Sequence, residues 1–178
     1  MKNILIFSSS PRRGGNSDTL CDRFMAGSLD KGHHVEKIFL ADKHINYCTG
    51  CSVCSLYGKP CPQKDDVAEL VEKMIQADVI VLATPVYFYT MSGQMKTFID
   101  RCCARYTEIS NKEFYFIATA AEGEKQLLER TFDSLRGFTD CLEGAVEKGC
   151  LYGCGVWKMS DIDGTPLLDE AYRMGANV

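Results

Sequence analysis

The length, composition and charge of the chain describe one globular domain. It has 178 residues, of which 46% are apolar and 25% charged, which is enough apolar material to bury a core and argues against disorder. The net charge of −4 argues against nucleic acid as a partner, and no apolar run is long enough to span a bilayer. The apolar run over residues 4–7 is too short for a signal peptide, so we expect a cytoplasmic protein without membrane contact.

Strand and helix patterns alternate along the chain, beginning with a short apolar strand over residues 2–8. A helix pattern follows over 17–31, with Asn16 or Ser17 as its N-cap and Gly32 placed to end it. A second strand is predicted over 34–40, and a long loop rich in cysteine, glycine and proline over 41–64. The later elements are a helix that begins after Asp65 or Asp66, a strand over 78–83, a helix over 92–105, a strand over 113–119, a helix over 125–141, a strand over 145–152 and a helix over 166–175.

Five strands that alternate with helices predict a doubly wound parallel sheet. For a chain of this length we expect a flavodoxin-like α/β/α sandwich of three layers with strand order 2-1-3-4-5, and residues 1–178 as a single domain. Ligands bind such sheets beyond the carboxyl ends of the strands. The loops after the first, third and fourth strands, over 8–17, 84–91 and 119–124, should therefore meet at one site.

The loop after the first strand has the composition of a phosphate site. It reads Ser-Ser-Ser-Pro-Arg-Arg-Gly-Gly-Asn-Ser over residues 8–17 and leads into a helix. Backbone N–H groups, the positive end of the helix dipole, hydroxyls and an arginine would converge there on one anion. The loop matches neither the dinucleotide nor the nucleoside-triphosphate glycine pattern. Ser, Arg, Asn and Ser at a helix start suit a phosphate monoester. An ordinary capped turn is the alternative.

The loop after the third strand is rich in aromatic residues, reading Thr-Pro-Val-Tyr-Phe-Tyr-Thr-Met-Ser-Gly over residues 84–93. Apolar groups at the carboxyl end of a strand can form a flat slot for a planar ring, and the N–H groups of the loop could bond its carbonyls. The alternative is that these aromatic side chains belong to the core or to an interface.

These segments together resemble the NADPH-dependent FMN reductase family. The resemblance rests on Phe7–Arg12 with Asn16-Ser17, on Thr84–Tyr87 and on Met95–Arg101, and it covers about residues 1–120. It implies that the FMN phosphate is held by Ser8, Ser10, Arg12, Asn16 and Ser17. It implies that the isoalloxazine is lined by Pro85, Val86, Tyr87 and Phe88, with Thr84 near the ribityl chain. The third loop of the site would be formed by Thr119, Ala120 and Gly123.

Four of the ten cysteines cluster in the loop over 41–64, at Cys48, Cys51, Cys54 and Cys61. This spacing resembles that of the iron–sulfur flavoproteins, which bind a [4Fe–4S] cluster beside FMN. Three thiolates at two-residue gaps can wrap one corner of such a cluster, and a fourth closes it. Zinc and plain thiols are the alternatives. Cys102 and Cys103 are interpreted as small buried apolar residues.

The resemblance implies a flavin-dependent oxidoreductase. FMN would take a hydride from NADH or NADPH and pass electrons to a small molecule or to a redox protein. No acid–base dyad is evident, and none is needed. The alternatives are an electron carrier that uses FMN and an iron–sulfur cluster, and a non-redox module with a zinc-stapled loop.

We also expect a homodimer or homotetramer, because a flavin site at a sheet edge must be enclosed and the cysteine-rich loop is too apolar to remain exposed to solvent. Trp157, the only tryptophan, could cover the site or a partner subunit.

Overall fold

The five predicted strands form one parallel sheet in a computed structural model that describes residues 1–178. The strands are β1 (Asn3–Ser8), β2 (His34–Phe39), β3 (Val79–Pro85), β4 (Glu113–Thr119) and β5 (Val146–Gly153). They pair in the order 2-1-3-4-5, and every pairing is parallel. The predicted flavodoxin-like fold and its strand order are thus confirmed.

Each predicted helix is present, and one further helix lies in the segment predicted to be a loop. The helices are α1 (Asn16–Asp30), α2 (Val53–Tyr57), α3 (Val67–Gln76), α4 (Gly93–Arg101), α5 (Lys125–Thr139) and α6 (Leu167–Ala176). The unpredicted helix is α2, which is a single short turn within residues 41–64. The predicted helix over 92–105 stops at Arg101 and continues as 3-10 turns over 102–104 and 106–108.

The core lies on both faces of the sheet. Neighbouring β3 residues point in opposite directions: Ile80 and Leu82 pack towards α3, α4 and α5, whereas Val79 and Val81 pack towards α1 and α6. This burial on both faces explains why β3 is a continuous apolar run rather than an alternating one. None of the helices is both long and apolar enough to cross a bilayer.

Helices α1 and α6 approach each other closely through two glycines. A Cβ atom on Gly27 would lie 2.1 Å from the Tyr172 carbonyl oxygen, and one on Gly175 would lie 2.0 Å from the Phe24 carbonyl oxygen. The absence of a side chain at both positions lets the two backbones meet. This contact fixes α6 on α1, and the chain between β5 and α6 returns to the edge of the sheet where β1 ends.

Candidate functional site

A cavity of about 300 Å³ opens where β1, β3 and β4 end, at the predicted position. The first loop contributes Ser10, Arg12, Gly15, Asn16 and Ser17; the second contributes Pro85, Val86, Tyr87, Phe88 and Tyr89; the third contributes Thr119, Ala120, Ala121 and Glu122; and the C-terminal segment contributes Val156, Trp157 and Met159. The fold therefore brings together ten of the residues that the sequence assigned to FMN. Ser8, Thr84 and Gly123 do not line the cavity.

The first loop presents unpaired hydrogen-bond donors to this cavity. The N-cap of α1 is Gly15, not Asn16 or Ser17 as predicted, and it provides no side-chain cap. The backbone N–H groups of Asn16, Ser17 and Asp18 consequently have no acceptor in the protein. An uncapped helix start that faces a cavity suits an anion, because the free N–H groups and the helix dipole both favour negative charge.

Asn16 contains a buried polar atom without a partner. Its Nδ2 donates to the carbonyl oxygen of Lys158 over 2.9 Å, while its Oδ1 is buried and accepts no hydrogen bond. Because the Lys158 carbonyl oxygen can only accept a hydrogen bond, the Nδ2 end of the Asn16 amide must face it. The remaining Oδ1 can only accept, so it fits a hydroxyl group rather than a phosphate oxygen.

The two neighbouring arginines of the loop have different surroundings. Arg13 is paired with Asp42, and its guanidinium lies 4.6 Å from the centre of the Phe39 ring. Arg12 is exposed beside the cavity and has no ion-pair partner. Arg12 is therefore the cation that is free to meet an anion in the cavity.

Ser8 lies beneath the loop, not in the cavity. Its Oγ donates to Asp18 Oδ1 over 2.8 Å, and the Gly14 N–H donates to Asp18 Oδ2 over 2.9 Å. Lys37 Nζ lies 3.0 Å from Asp18 Oδ1 and balances its charge. Burial raises the pKa of Asp18, but the bonds from Gly14, Lys37 and Ser8 outweigh burial and hold that pKa below its ordinary value. Ser8 thus shapes the loop through Asp18.

The second loop carries two neighbouring residues in the left-handed backbone region. Phe88 has φ of 50° and Tyr89 has φ of 63°, which costs a non-glycine residue about 1–2 kcal/mol. Phe88 is 99% exposed at the rim of the cavity. Thr84 holds the base of this loop: its Oγ1 accepts from the Ser92 N–H over 2.9 Å and donates to the Pro85 carbonyl over 2.8 Å. These two hydrogen bonds keep the Thr84 side chain buried beneath the cavity wall.

Sequence reasoning did not assign the C-terminal segment to the cavity, apart from suggesting Trp157 as a cover. The N–H groups of Trp157 and Lys158 donate to Asp161, and the Val156 N–H donates to the Ala120 carbonyl. These bonds hold Val156, Trp157 and Met159 against the third loop. Glu122 is the acidic residue at this rim, and its carbonyl accepts from the Gly155 N–H. The solitary tryptophan was the signal in the sequence that pointed here.

The cysteine-rich loop lies outside this cavity. Cys48 and Cys51 are exposed, and Cys54 and Cys61 are half-buried. The N–H group of Val53 and the hydroxyl of Thr49 lower the pKa of Cys51. No three metal-binding side chains converge anywhere in this structure, so the loop in this conformation does not fit a metal ion or cluster. The ligand set Cys48, Cys51, Cys54 and Cys61 stays a prediction.

A buried ion pair holds the two ends of this loop together. Arg101 and Asp65 are 2% and 1% exposed and make two hydrogen bonds of 2.6 and 3.1 Å. Arg101 also donates to the Asn46 carbonyl over 2.8 Å and to Cys61 Sγ over 3.5 Å.

Cys102, which follows Arg101, is buried as predicted, but the prediction of burial for Cys103 is wrong. The helix ends at Arg101, and the 3-10 turn that follows directs Cys103 outwards.

Comparison with known proteins identifies the family. The family described as NADPH-dependent FMN reductase matches residues 2–145. An iron–sulfur flavoprotein of Archaeoglobus fulgidus is 44% identical over 101 residues, which are 57% of this chain and 45% of that protein. Another iron–sulfur flavoprotein of the same organism is 30% identical over 179 residues, covering 96% of this chain and 90% of that protein.

A solved structure shows the same fold over its whole length. The NAD(P)H:quinone oxidoreductase from Methanothermobacter marburgensis has a TM-score of 0.73 and 18% identity, covering 99% of this chain and 95% of the other. This chain spans about half the length of several curated relatives that it matches. The family match nevertheless extends over most of the chain and includes the first three loops of the cavity. This chain therefore belongs to the NADPH-dependent FMN reductase family.

Proposed function

We propose that this chain is an FMN-dependent oxidoreductase that takes electrons from NADH or NADPH and passes them to a small molecule or to a redox protein. The observation that carries this proposal is the cavity at the sheet edge, which has unpaired donors at one end and apolar groups at the other. FMN has the same division, with a charged phosphate at one end and a flat ring at the other.

The two polar parts of FMN would each find a matching group. The phosphate would accept from the free N–H groups at the start of α1 and from Arg12. A ribityl hydroxyl would donate to the orphaned Oδ1 of Asn16, whose burial is otherwise unexplained. We propose Ser10 and Ser17 as further phosphate contacts because they line the same end of the cavity.

The apolar part of the cavity would hold the ring. Pro85, Val86 and Tyr87 would provide one wall, and Thr119 with Ala120 would provide the floor. When bound, FMN supplies the redox chemistry by accepting a hydride from the nicotinamide nucleotide. The task of the chain is to bind and orient the cofactor, and the rim formed by Phe88 and Trp157 lies open to an incoming nucleotide or acceptor.

Steady-state oxidation of NADPH and NADH by the FMN-loaded protein tests this function. We expect turnover with at least one nucleotide when free FMN or a quinone is the acceptor. Reduction by a protein such as ferredoxin, with negligible nucleotide oxidation, would favour an electron carrier instead. A colourless protein that takes up no FMN would contradict both the reductase and the electron carrier. It would favour the non-redox module with a zinc-stapled loop.

The carrier function is the second candidate, with a [4Fe–4S] cluster held by Cys48, Cys51, Cys54 and Cys61. The thiol spacing and the similarity to proteins named iron–sulfur flavoproteins favour it. The loop would have to rearrange, since the four thiols do not converge in this structure. Anaerobic purification followed by iron and sulfide analysis tests it. About four irons per chain, lost in a Cys51→Ser variant, would support the cluster, and absence of iron would exclude it.

A further inference from the structure

An arginine of α5 lies against the second loop of the cavity. The guanidinium carbon of Arg130 is 5.6 Å from the centre of the Tyr89 ring, which is within the range of a cation–π contact. Beside this contact, Thr90 Oγ1 donates to Ser134 Oγ over 3.3 Å, which joins the same loop to the same helix. Tyr89 lines the cavity, whereas Arg130 does not. The two contacts therefore place the Arg130 guanidinium beside the opening of the cavity and outside the flavin site itself.

The charge of Arg130 is not balanced within the chain. Its side chain is exposed, no carboxylate lies within salt-bridge distance, and its N–H groups make no hydrogen bond. The other basic residues of α5 are engaged elsewhere. Arg136 pairs with three carboxylates, and Lys125 Nζ lies 5.3 Å from the centre of the Tyr152 ring, which does not line the cavity. Arg130 is therefore the basic residue of α5 that is free to bind an anion at the opening.

The contact with Tyr89 leaves the hydrogen-bond donors of Arg130 available. A guanidinium contacts an aromatic ring through its charge and its flat face, whereas its N–H groups lie along its edge. That edge can donate two parallel hydrogen bonds to one phosphate group. The ring of Tyr89 thus holds the cation in place without using the donors that a phosphate needs.

We propose that Arg130 binds a phosphate group of the nicotinamide nucleotide that reduces the flavin. This inference rests on the proposed function, because that function brings the nicotinamide ring into the cavity to reach the flavin ring. The phosphates of the nucleotide then stay at the opening, where Arg130 lies against Tyr89. Arg12, the other free cation beside the cavity, is at the end that we assign to the FMN phosphate.

Two phosphate groups of the nucleotide have the chemistry that Arg130 recognises. NADH and NADPH share the diphosphate bridge between their two halves, and NADPH alone carries a further phosphate on the adenosine ribose. Binding of the bridge would strengthen the affinity for both nucleotides equally. Binding of the ribose phosphate would strengthen the affinity for the phosphorylated nucleotide alone.

Calorimetric titration of the FMN-loaded protein with NADP⁺ and with NAD⁺ tests the proposal without turnover, because both nucleotides are already oxidised. In Arg130→Ala we expect the Kd to rise about 10- to 150-fold for NADP⁺ alone or for both nucleotides, which is the effect of losing a charge-assisted contact. A rise for NADP⁺ alone assigns the ribose phosphate, and an equal rise for both assigns the bridge. The Kd for FMN should change less than about threefold, since Arg130 lies outside the flavin site.

Two further variants separate the charge from the packing of the loop. Arg130→Met keeps an apolar side chain over Tyr89 but removes the charge, so it should weaken nucleotide binding as much as Arg130→Ala does. Arg23→Ala is the matched control, because Arg23 lies 5.2 Å from the centre of the Tyr172 ring and does not line the cavity. We expect it to change neither nucleotide Kd by more than about threefold.

Unchanged nucleotide affinity in Arg130→Ala, wild-type affinity in Arg130→Met, or an equal loss in Arg23→Ala would overturn the role of Arg130. No measurable binding of either nucleotide to the unmodified FMN-loaded protein would overturn it as well. Uptake of FMN is measured on the same samples. Normal uptake with unchanged nucleotide affinity rejects this inference alone, whereas no uptake of FMN rejects the proposed function and this inference with it.

Discussion

Arg12 and Arg13 are neighbours in the sequence, but only Arg12 is free to bind a ligand. Because Arg12 has no ion-pair partner and borders the cavity, Arg12→Ala should weaken FMN binding. The loss of a charge-assisted hydrogen bond costs about 1.5–3 kcal/mol, which corresponds to about a 10- to 150-fold rise in Kd. Titration of the apoprotein, followed by quenching of flavin fluorescence, measures this change.

Arg13→Ala is the matched control for that experiment. It removes the same charge from the next residue, but it breaks only the exposed pair with Asp42 and the contact with Phe39. We expect the Kd for FMN to change by less than about threefold, since exposed ion pairs contribute little. Equal effects of the two variants would mean that the loop attracts the cofactor only through its overall charge.

We expect the contribution of Asp18 to the stability of the fold to depend on pH. Asp18 is 6% exposed, and its pKa is lowered in the folded chain, so its bonds to Ser8, Gly14 and Lys37 stabilise the fold above about pH 4. This contribution should be lost as the pH falls through the lowered pKa. Asp18→Asn should therefore reduce the free energy of unfolding by about 2 kcal/mol at pH 7, and the difference from wild type should shrink below about pH 4.

Denaturant unfolding at a series of pH values measures this effect. Asp22→Asn is the control, because Asp22 pairs with the same Lys37 but is largely exposed. We expect it to cost less than about 1 kcal/mol. A gap between Asp18→Asn and wild type that stays constant down to pH 2 would contradict the assigned role of the carboxylate.

For single residues, the sequence predicted well which of them line the cavity. It predicted less well which bonds each residue makes there. Ser10, Arg12 and Ser17 line the cavity because they follow a strand end, and strand ends are readable from apolar runs. The roles of Ser8 and Asn16 differ from those predicted, because Ser8 bonds to Asp18 and Asn16 bonds to the Lys158 carbonyl. Lys158 lies 142 residues from Asn16 in the sequence, and no local pattern predicts that contact.

At the scale of elements, the glycine contact between α1 and α6 supports the C-terminal wall of the cavity. Gly27→Ala would place a methyl group 2.1 Å from the Tyr172 carbonyl oxygen, so the two helices must separate. We expect a loss of about 1–3 kcal/mol in the free energy of unfolding, which is the usual cost of overpacking. Thermal or denaturant unfolding measures it.

Gly137→Ala provides the control within α5. A Cβ at Gly137 meets nothing within 4 Å, so the alanine should be neutral or stabilise the chain by up to about 1 kcal/mol. If both alanine variants behave alike, close packing of α1 on α6 does not limit stability.

Strand positions were predicted well because burial leaves a direct mark on the sequence. The apolar run of β3 and the apolar stripe of α3, formed by Val67, Leu70, Val71 and Met74, each indicate their element without tertiary information. The short helix α2 was missed because it is one turn long with no buried residue, so it has no apolar periodicity. The start of α1 was missed because its first N–H groups are left free rather than capped.

At the scale of the whole molecule, large apolar side chains remain exposed around the cavity and on the cysteine-rich loop. Phe88 and Trp157 are exposed at the rim, and Leu56 and Tyr57 are exposed on α2. Such clusters usually mark an interface. We expect light scattering to give a mass of about 40 or 80 kDa, two or four times the 19.9 kDa of the chain.

Substitution at the rim tests where the subunits meet. Phe88→Ser should shift the mass towards about 20 kDa at low protein concentration, because it removes a 99% exposed ring from the proposed contact. Leu29→Ser, which changes an exposed apolar residue near the opposite edge of the sheet, should not. A mass of about 20 kDa for the unmodified chain would contradict the predicted oligomer.

We propose that the loop after β1 binds FMN through its phosphate. Parallel calorimetric titrations of the apoprotein with FMN and with riboflavin, which has the same ring but no phosphate, test it most directly. The free N–H groups of α1 and the unpaired Arg12 predict that riboflavin binds about 100-fold more weakly than FMN, or not measurably. Equal affinities for the two flavins, or no binding of FMN, would show that this loop does not hold a flavin phosphate.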